Sequence, residues 1–167
     1  SATAPLEMME RVGLSTNDSI YLVDKILKEY GIREKVKISA SGKILTPDDM
    51  LIALALGADF LQLARGFMMS AGCIRARYCS GTTGHDCPVG LATQNKSKRT
   101  KYFVHKQSVK VKNYHKNLIK SLKGLLAIMG LKNIKDLNKD RLLFVDKDLK
   151  IHEDIDFVFE KILDLKK

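Results

Sequence analysis

Three cysteines fall within fifteen residues of a 167-residue chain, in the pattern Cys73-x5-Cys79-x7-Cys87-Pro88. Thiolates are soft ligands that select iron-sulfur clusters or zinc, and a loop can fold round such a centre because it has few packing obligations. Three thiolates without a fourth suit a three-iron cluster best; a four-iron cluster with a non-protein or labile fourth position stays open. Zinc is the chemical rival, because His85 stands two residues before Cys87 and would complete a Cys3His set. The short Cys-x2-Cys knuckle of many structural zinc sites is missing. Three reduced thiols holding no metal are the plain alternative. Arg75 and Arg77, between the first two cysteines, would suit a thiolate cluster of net negative charge.

Two glycine loops offer a second kind of chemistry. Ser41-Gly42-Lys43 and Arg65-Gly66 each follow a short predicted strand and precede a predicted helix. Backbone N-H groups at such a place can hold a phosphate, with glycine letting the backbone come close and the helix terminus supplying positive potential. Each loop alone reads as an ordinary turn. The pair at consecutive strand ends, flanked by Lys43 and Arg65, resembles the phosphate site after the last two strands of a βα barrel.

The elements that must position these residues follow from periodicity and punctuation. A short helix is expected over 5–12, opened by Pro5 and closed by Gly13. Ser15-Thr16-Asn17-Asp18 then caps a helix whose inward stripe is Ile20, Val23, Ile26 and Leu27, with Gly31 as its stop. Val36 to Ala40 reads as a strand. Thr46-Pro47-Asp48-Asp49 starts a helix that ends at Gly57. Asp59 to Ala64 is the next strand, and a helix from Phe67 to about Ala76 would carry Cys73. Residues 80–100 read as loop. A long helix is predicted over 102–129 with Val111, Tyr114, Leu118, Leu122, Leu125, Leu126 and Met129 on one face. A small helical element over 131–137, an extended piece over 142–145 and a last helix over 155–165 complete the chain.

At 45% hydrophobic the chain can bury an ordinary core. Its formal charge of +10 is uneven: residues 1–95 carry ten basic and ten acidic side chains, residues 96–167 nineteen and nine. Such an excess can attract nucleic acid, an acidic partner or an anionic surface. No nucleic-acid motif accompanies it and no run of about 18 apolar residues exists, so neither nucleic acid nor membrane is an expected partner. SATAPLEMMERVG lacks the basic head and apolar core of a signal peptide, which makes a cytoplasmic location the expectation, and an odd number of cysteines argues against a disulfide framework.

The run ISASGKILTPDDMLIALALGADFLQLARGFMMSAGCIRARYC, continuing to CPVGLATQN, resembles the FMN-binding central domain of glutamate synthases, in particular their archaeal-type and stand-alone relatives. The resemblance begins at Ala4-Pro5-Leu6-Glu7, is strong to Asn95 and continues loosely through MGLKNIKDL. It implies an α/β chain forming the C-terminal part of a (β/α)8 TIM barrel, strands seven and eight, followed by a mostly helical extension. The parts would be residues 1–78 as the last βα units, 79–100 as the iron-sulfur loop and 101–167 as the extension. It further implies FMN and a 3Fe-4S cluster as cofactors, with Cys73, Cys79 and Cys87 as cluster ligands. Ser41, Gly42, Lys43, Ala64, Arg65 and Gly66 would meet the flavin, and Lys43 would lie nearest the flavin ring or the keto acid. Gln62, on the last strand, is the weaker candidate beside a barrel-filling role.

The activity so implied passes electrons through the cluster and FMN to a 2-imino acid made from 2-oxoglutarate and ammonia. Two departures stand out. Seven residues separate the second and third cysteines where the family pattern has four, and a longer loop can still deliver Cys87 at little closure cost. The first six barrel strands have no counterpart in the chain, so a second polypeptide or a missing N-terminal region is expected to supply them. Ferredoxin or a pyridine-nucleotide-dependent subunit is the expected electron donor. A non-catalytic iron-sulfur or zinc module for electron transfer or interaction is the alternative.

Overall fold

In the computed structural model, residues 8, 12–79, 84–145 and 148–156 are described. The first long element is helix α1, Thr16–Glu29, whose cap Ser15 accepts a hydrogen bond from the Asp18 N-H at 3.1 Å. A 3-10 turn, Arg33–Lys35, leads to strand β1, Ser39–Ser41. Helix α2, Pro47–Ala55, begins where the Asp49 carboxylate accepts hydrogen bonds from the Leu45 and Thr46 N-H groups and the Thr46 hydroxyl. That places a negative charge at the positive helix end. Strand β2, Phe60–Gln62, and the short helix α3, Arg65–Ser70, follow.

The second half holds one turn of helix, α4, Lys96–Arg99, capped by Asn95, and the 25-residue helix α5, Val104–Ile128. Two 3-10 turns, Ile134–Asp136 and Lys139–Arg141, lead to strands β3, Phe144–Val145, and β4, Ile151–His152. Helices α1, α2, α3 and α5 end alike, on Gly31, Gly57, Gly72 and Gly130, with paired backbone bonds reaching back into the last turn. This is the Schellman arrangement.

The expected barrel is not what the chain forms. Among the described residues there are two sheets of two strands each: β1 and β2 pair in parallel, Ala40 opposite Leu61, and β3 and β4 pair antiparallel, Phe144 opposite His152. Neither closes on itself, whereas a (β/α)8 barrel needs eight strands sharing tilt and stagger. The (β/α)8 assignment is therefore corrected to a helical layer around one short parallel pair, with a small antiparallel pair apart from it.

One apolar cluster unites the halves. Ile20, Ala40, Ile44, Leu51 and Ala53 pack with Leu118 and Leu122 of α5 and with Leu137 and Ile155. The long helix presents the expected face. In α1 the stripe is turned by one residue: Ile20, Tyr21 and Asp24 are buried while Val23 and Ile26 are exposed. The turn follows from polar partners. Tyr21 donates its hydroxyl proton to Asp156, and Asp24 meets Arg33.

Arg33 is the node of this region. Its Nε donates to Asp24 at 2.6 Å and its Nη2 to both Asp59 and the Gly57 carbonyl at 2.8 Å, while Nη1 reaches the Val36 carbonyl. The Asp59 carboxylate also accepts from the Ile38 N-H at 2.8 Å. These bonds shorten the expected strands, because Val36 to Ile38 serves Arg33 and Asp59 before pairing begins at Ser39. Gly57 has φ +118, and a Cβ there would lie 2.5 Å from the Asp24 carboxyl carbon. The expected helix over 5–12 lies mostly outside the described residues. Of the last expected helix only Ile155 and Asp156 are described, both helical.

Removing the cation should leave the buried Asp24 to the more exposed Lys28 ammonium, 2.6 Å away. Arg33→Ala is expected to cost about 2–3 kcal/mol, below the largest values for buried pairs because Asp59 keeps some water contact; an unchanged urea midpoint would refute the node. Burial alone would raise the Asp59 carboxyl, but the Ile38 N-H and Arg33 hold it below its ordinary 3.8. A carboxyl lowered in the folded state stabilises above its unfolded value and loses that contribution as pH falls through the folded one. Urea midpoints should therefore be flat above about pH 5 and drop below about pH 4, with a smaller drop in Asp59→Asn.

Candidate functional site

The cysteine segment is placed by the end of α3. Gly72, with φ +103, closes that helix, and the Cys73 N-H bonds back to the Met68 carbonyl at 3.0 Å. Cys73 thus stands just beyond the helix and not within it as its sequence suggests. Arg75 and Arg77 both have left-handed backbones, φ 59 and 61, a conformation that costs non-glycine residues energy. The Arg75 N-H points at the Cys73 sulfur at 3.4 Å.

Cys73 is half-buried, Cys79 exposed and Cys87 buried, and the three line one crevice with Met68, Tyr78 and Val89. Burial would raise the Cys87 thiol, yet hydrogen bonds from the N-H groups of Ala92, Val89, Leu91 and Gly90 hold it below its ordinary value. Backbone N-H groups near a sulfur favour the thiolate. The loop's far end is pinned: Asp86 accepts from Asn95 at 3.2 Å and pairs with Lys98 at 3.5 Å, and Gly90 packs on the Lys98 carbonyl with no room for a side chain.

As donors, three cysteines lining one crevice suit a soft metal centre. The space is another matter. The crevice measures about 40 Å³, room for a few waters at about 10–15 Å³ each. No group of three His, Cys, Asp or Glu among the described residues is gathered closely enough to hold a metal ion. The expectation of a formed iron-sulfur centre is corrected accordingly, since the sulfurs share a wall without meeting at one point. His85 lies outside the crevice, its ring 4.9 Å from that of Tyr78. The Cys3His zinc set is not assembled either.

Because β1 and β2 are parallel, Ser41-Gly42-Lys43 and Ala64-Arg65-Gly66 leave the pair at the same end. Gly42 has φ +139, and a Cβ there would lie 2.5 Å from Thr16 Oγ1; Lys43 is left-handed at φ 54. Gly42 and Lys43 line a cavity of about 460 Å³ with Ser15, Thr16, Asn17 and Asp49, beside the N-terminus of α1. Ala64, Arg65 and Gly66 stand outside that cavity. Gly66 is buried against the Tyr114 ring of α5, whose hydroxyl donates to the Leu45 carbonyl at 2.8 Å. Burial, helped by the Asp49 charge, raises the Tyr114 phenol, so it remains a donor at neutral pH. Gln62 is exposed and donates to Ser39 Oγ at 2.9 Å across the strand pair.

Sequence reading missed Arg33, Asp24, Asp59 and Tyr114 as organising residues. The one available signal was Asp24, a carboxylate set among the apolar positions of α1. A polar handle on Tyr114 was invisible in its place on an apolar stripe.

Residues 2–132 match the family described as "Conserved region in glutamate synthase". The chain is 40% identical over 142 residues to the "Glutamate synthase large subunit-like protein YerD" of Bacillus subtilis, covering 85% of this chain and 26% of that protein. It is 31% identical over 156 residues to the archaeal glutamate synthase (NADPH) of Methanocaldococcus jannaschii, covering 90% of this chain and 30% of the relative. With the ferredoxin-dependent glutamate synthase of Antithamnion sp. the identity is 28%, over 90% of this chain and 10% of the relative. The chain thus spans less than a third of each of these relatives.

The contact between α3 and α5 depends on the missing side chain at Gly66. Gly66→Ala should destabilise by about 1–3 kcal/mol through overpacking. Combining it with Tyr114→Ala should cost less than the two single changes summed; strict additivity in thermal melts would show that the two positions do not meet.

Proposed function

The chain belongs to the glutamate synthase family, and on that premise we propose that it is the cysteine-bearing part of a glutamate-synthase-type oxidoreductase. Its reaction would reduce a 2-imino acid formed from 2-oxoglutarate and ammonia. Cys73, Cys79 and Cys87 are the ligands of a 3Fe-4S cluster in this reading, and Ser41, Gly42, Lys43, Ala64, Arg65 and Gly66 meet FMN. Cluster and flavin, when bound, supply one-electron relay and hydride chemistry. The chain's own part is placement and electrostatics. Backbone N-H groups keep Cys87 ready as a ligand, Arg75 and Arg77 offset the negative charge of three thiolates, and Lys43 is the cation for a phosphate, flavin ring or keto acid.

The single observation carrying the reading is that all three cysteines line one crevice, with Cys87 buried in it. Because the sulfurs do not yet meet, loading is expected to draw Cys79 inward. Cys79 is the exposed one of the three. The identities, 40% and 31% against 28%, make the chain more similar to the first two relatives than to the ferredoxin-dependent enzyme.

We place the chain within a larger assembly, as a stretch of a longer polypeptide or beside a second one. Its reductant would be a ferredoxin or a pyridine-nucleotide-dependent subunit. The separation of Arg65 and Gly66 from the Lys43 cavity favours one second reading: a cluster-carrying electron-transfer module that holds no flavin. A flavin-to-iron ratio on anaerobically purified native protein separates the two.

Broad absorbance near about 400 nm with about three irons per chain is expected for a cluster with three thiolate ligands. Cys79→Ser should remove most of that iron while leaving the urea midpoint within about 0.5 kcal/mol, as for an exposed site. Iron unchanged in the variant would overturn the ligand assignment. Zinc in place of iron would overturn the redox reading as a whole.

A further inference from the structure

From Cys87 to Lys135 the chain carries twelve basic side chains and no acidic one. Along the sequence they are spread among Leu, Val, Asn and Ser and match no nucleic-acid motif, but the fold gathers half of them. Lys106, Lys110, Lys112, Lys116, Lys120 and Lys123 are all on α5 and all exposed. At about 100° per residue these six lie within an arc of about 160°, opposite the arc of Tyr114, Leu118 and Leu122 that faces the core. Among the described residues none of the six forms an ion pair, whereas Lys28, Lys37 and Lys98 elsewhere each meet a carboxylate.

The rest of the arc is polar. Asn113 and Asn117 stand exposed between the lysines, and from Lys106 to Lys123 its one large apolar side chain is Val109, 47% exposed. Trp, Tyr and Arg, on which protein interfaces hinge, do not occur there, and lysine itself is depleted from such interfaces. Nor does the arc hold a Phe, Tyr or Trp on which unpaired bases could stack. An anionic membrane would meet no apolar side to insert, because α5 turns that side to the core. Lysine and asparagine are, by contrast, the side chains that bond phosphate oxygens of a duplex.

We propose that this face is a sequence-independent docking surface for the phosphate backbone of double-stranded DNA. The inference goes beyond the redox reading and uses none of the cysteines. From Lys106 to Lys123 the helix rises about 26 Å, and that length of duplex carries on the order of fifteen phosphates. Six ammonium groups with no carboxylate among them thus meet more partners than they can use, and each one engaged releases condensed counterions. Contacts of this kind fix position and carry no base sequence. A single exposed helix suits the major groove of B-form DNA, about 12 Å wide, and not the narrow one of A-form RNA.

The test is a binding titration of the full native chain with DNA duplexes of about 20 base pairs, and with single-stranded DNA, polyglutamate and phosphatidylserine vesicles beside them. Two duplexes of unrelated sequence should bind within about twofold of each other, and their affinity should fall about 100-fold or more between about 50 and about 200 mM salt, as for four or more phosphate contacts. Lys110→Gln/Lys116→Gln/Lys120→Gln should weaken binding about tenfold or more and reduce the salt slope by about three. Lys35→Gln/Lys132→Gln/Lys135→Gln removes the same charge from exposed lysines outside the arc and should leave the affinity within about threefold. If the first variant melts early, Lys112→Gln/Lys123→Gln reads the same face, with a slope reduced by about two. The proposal is overturned by no duplex binding at about 50 mM salt, by a slope unchanged in both arc variants, or by an equal loss in the control variant. Tighter binding of single strands, polyglutamate or vesicles would overturn it as well.

Discussion

One guanidinium holds the first half of the molecule in register. Arg33 ties the middle of α1 through Asp24, the end of α2 through the Gly57 carbonyl and the start of β2 through Asp59. Charge-assisted bonds of this kind are directional as well as strong. They demand a carboxylate inside, and that demand rotates α1 about its axis, brings Gly57 against Asp24 and delays strand pairing to Ser39. Burial raises the cost of separating these charges, so the segments they join move together or not at all. The bond to Asp24 is the main cause holding the Arg33 guanidinium above its ordinary range, as expected for a cation committed to a buried partner.

The second constraint is the long helix. α5 reaches the Leu45 carbonyl through Tyr114, and Tyr102, just ahead of the helix, bonds to the Ala71 carbonyl at the end of α3, with Gly66 and Gly90 left bare where α5 and its approach press closest. Leu118 and Leu122 then bury its middle in the common core. One face of α5 is therefore fully used in packing. The opposite face is left to lysine, and an element needed for stability also carries most of the chain's unbalanced charge.

Between these two braces the cysteine loop is held at both ends. Gly72 and the turn at Gly90 fix where Cys73 and Cys87 stand, and the amides around Cys87 favour its thiolate. The crevice is small and the three sulfurs share it without converging. Family membership and the donor set point to redox chemistry, while the expected barrel and a ready-made metal centre are absent from the described residues. No described helix is long and apolar enough to cross a membrane.

Much of the local structure was legible in the residues themselves. Ser15 and Asp49 marked helix starts, Gly31, Gly57 and Gly130 marked stops, and the Leu118–Leu122 face of α5 was visible from its period, because caps, stops and periodicity act within a few residues. The family signature was readable around the cysteines, whose spacing left iron-sulfur, zinc and plain thiols open. Tertiary structure alone decided the rest. Which face of α1 turns inward depended on Arg33, nine residues from Asp24, and on Asp156, more than a hundred residues from Tyr21. The short strands and the use of Gly66 for packing also rest on contacts between distant segments. A hydrogen bond or a close approach of that kind has no periodic trace in sequence, since it is set by where the chain returns and not by what stands beside it.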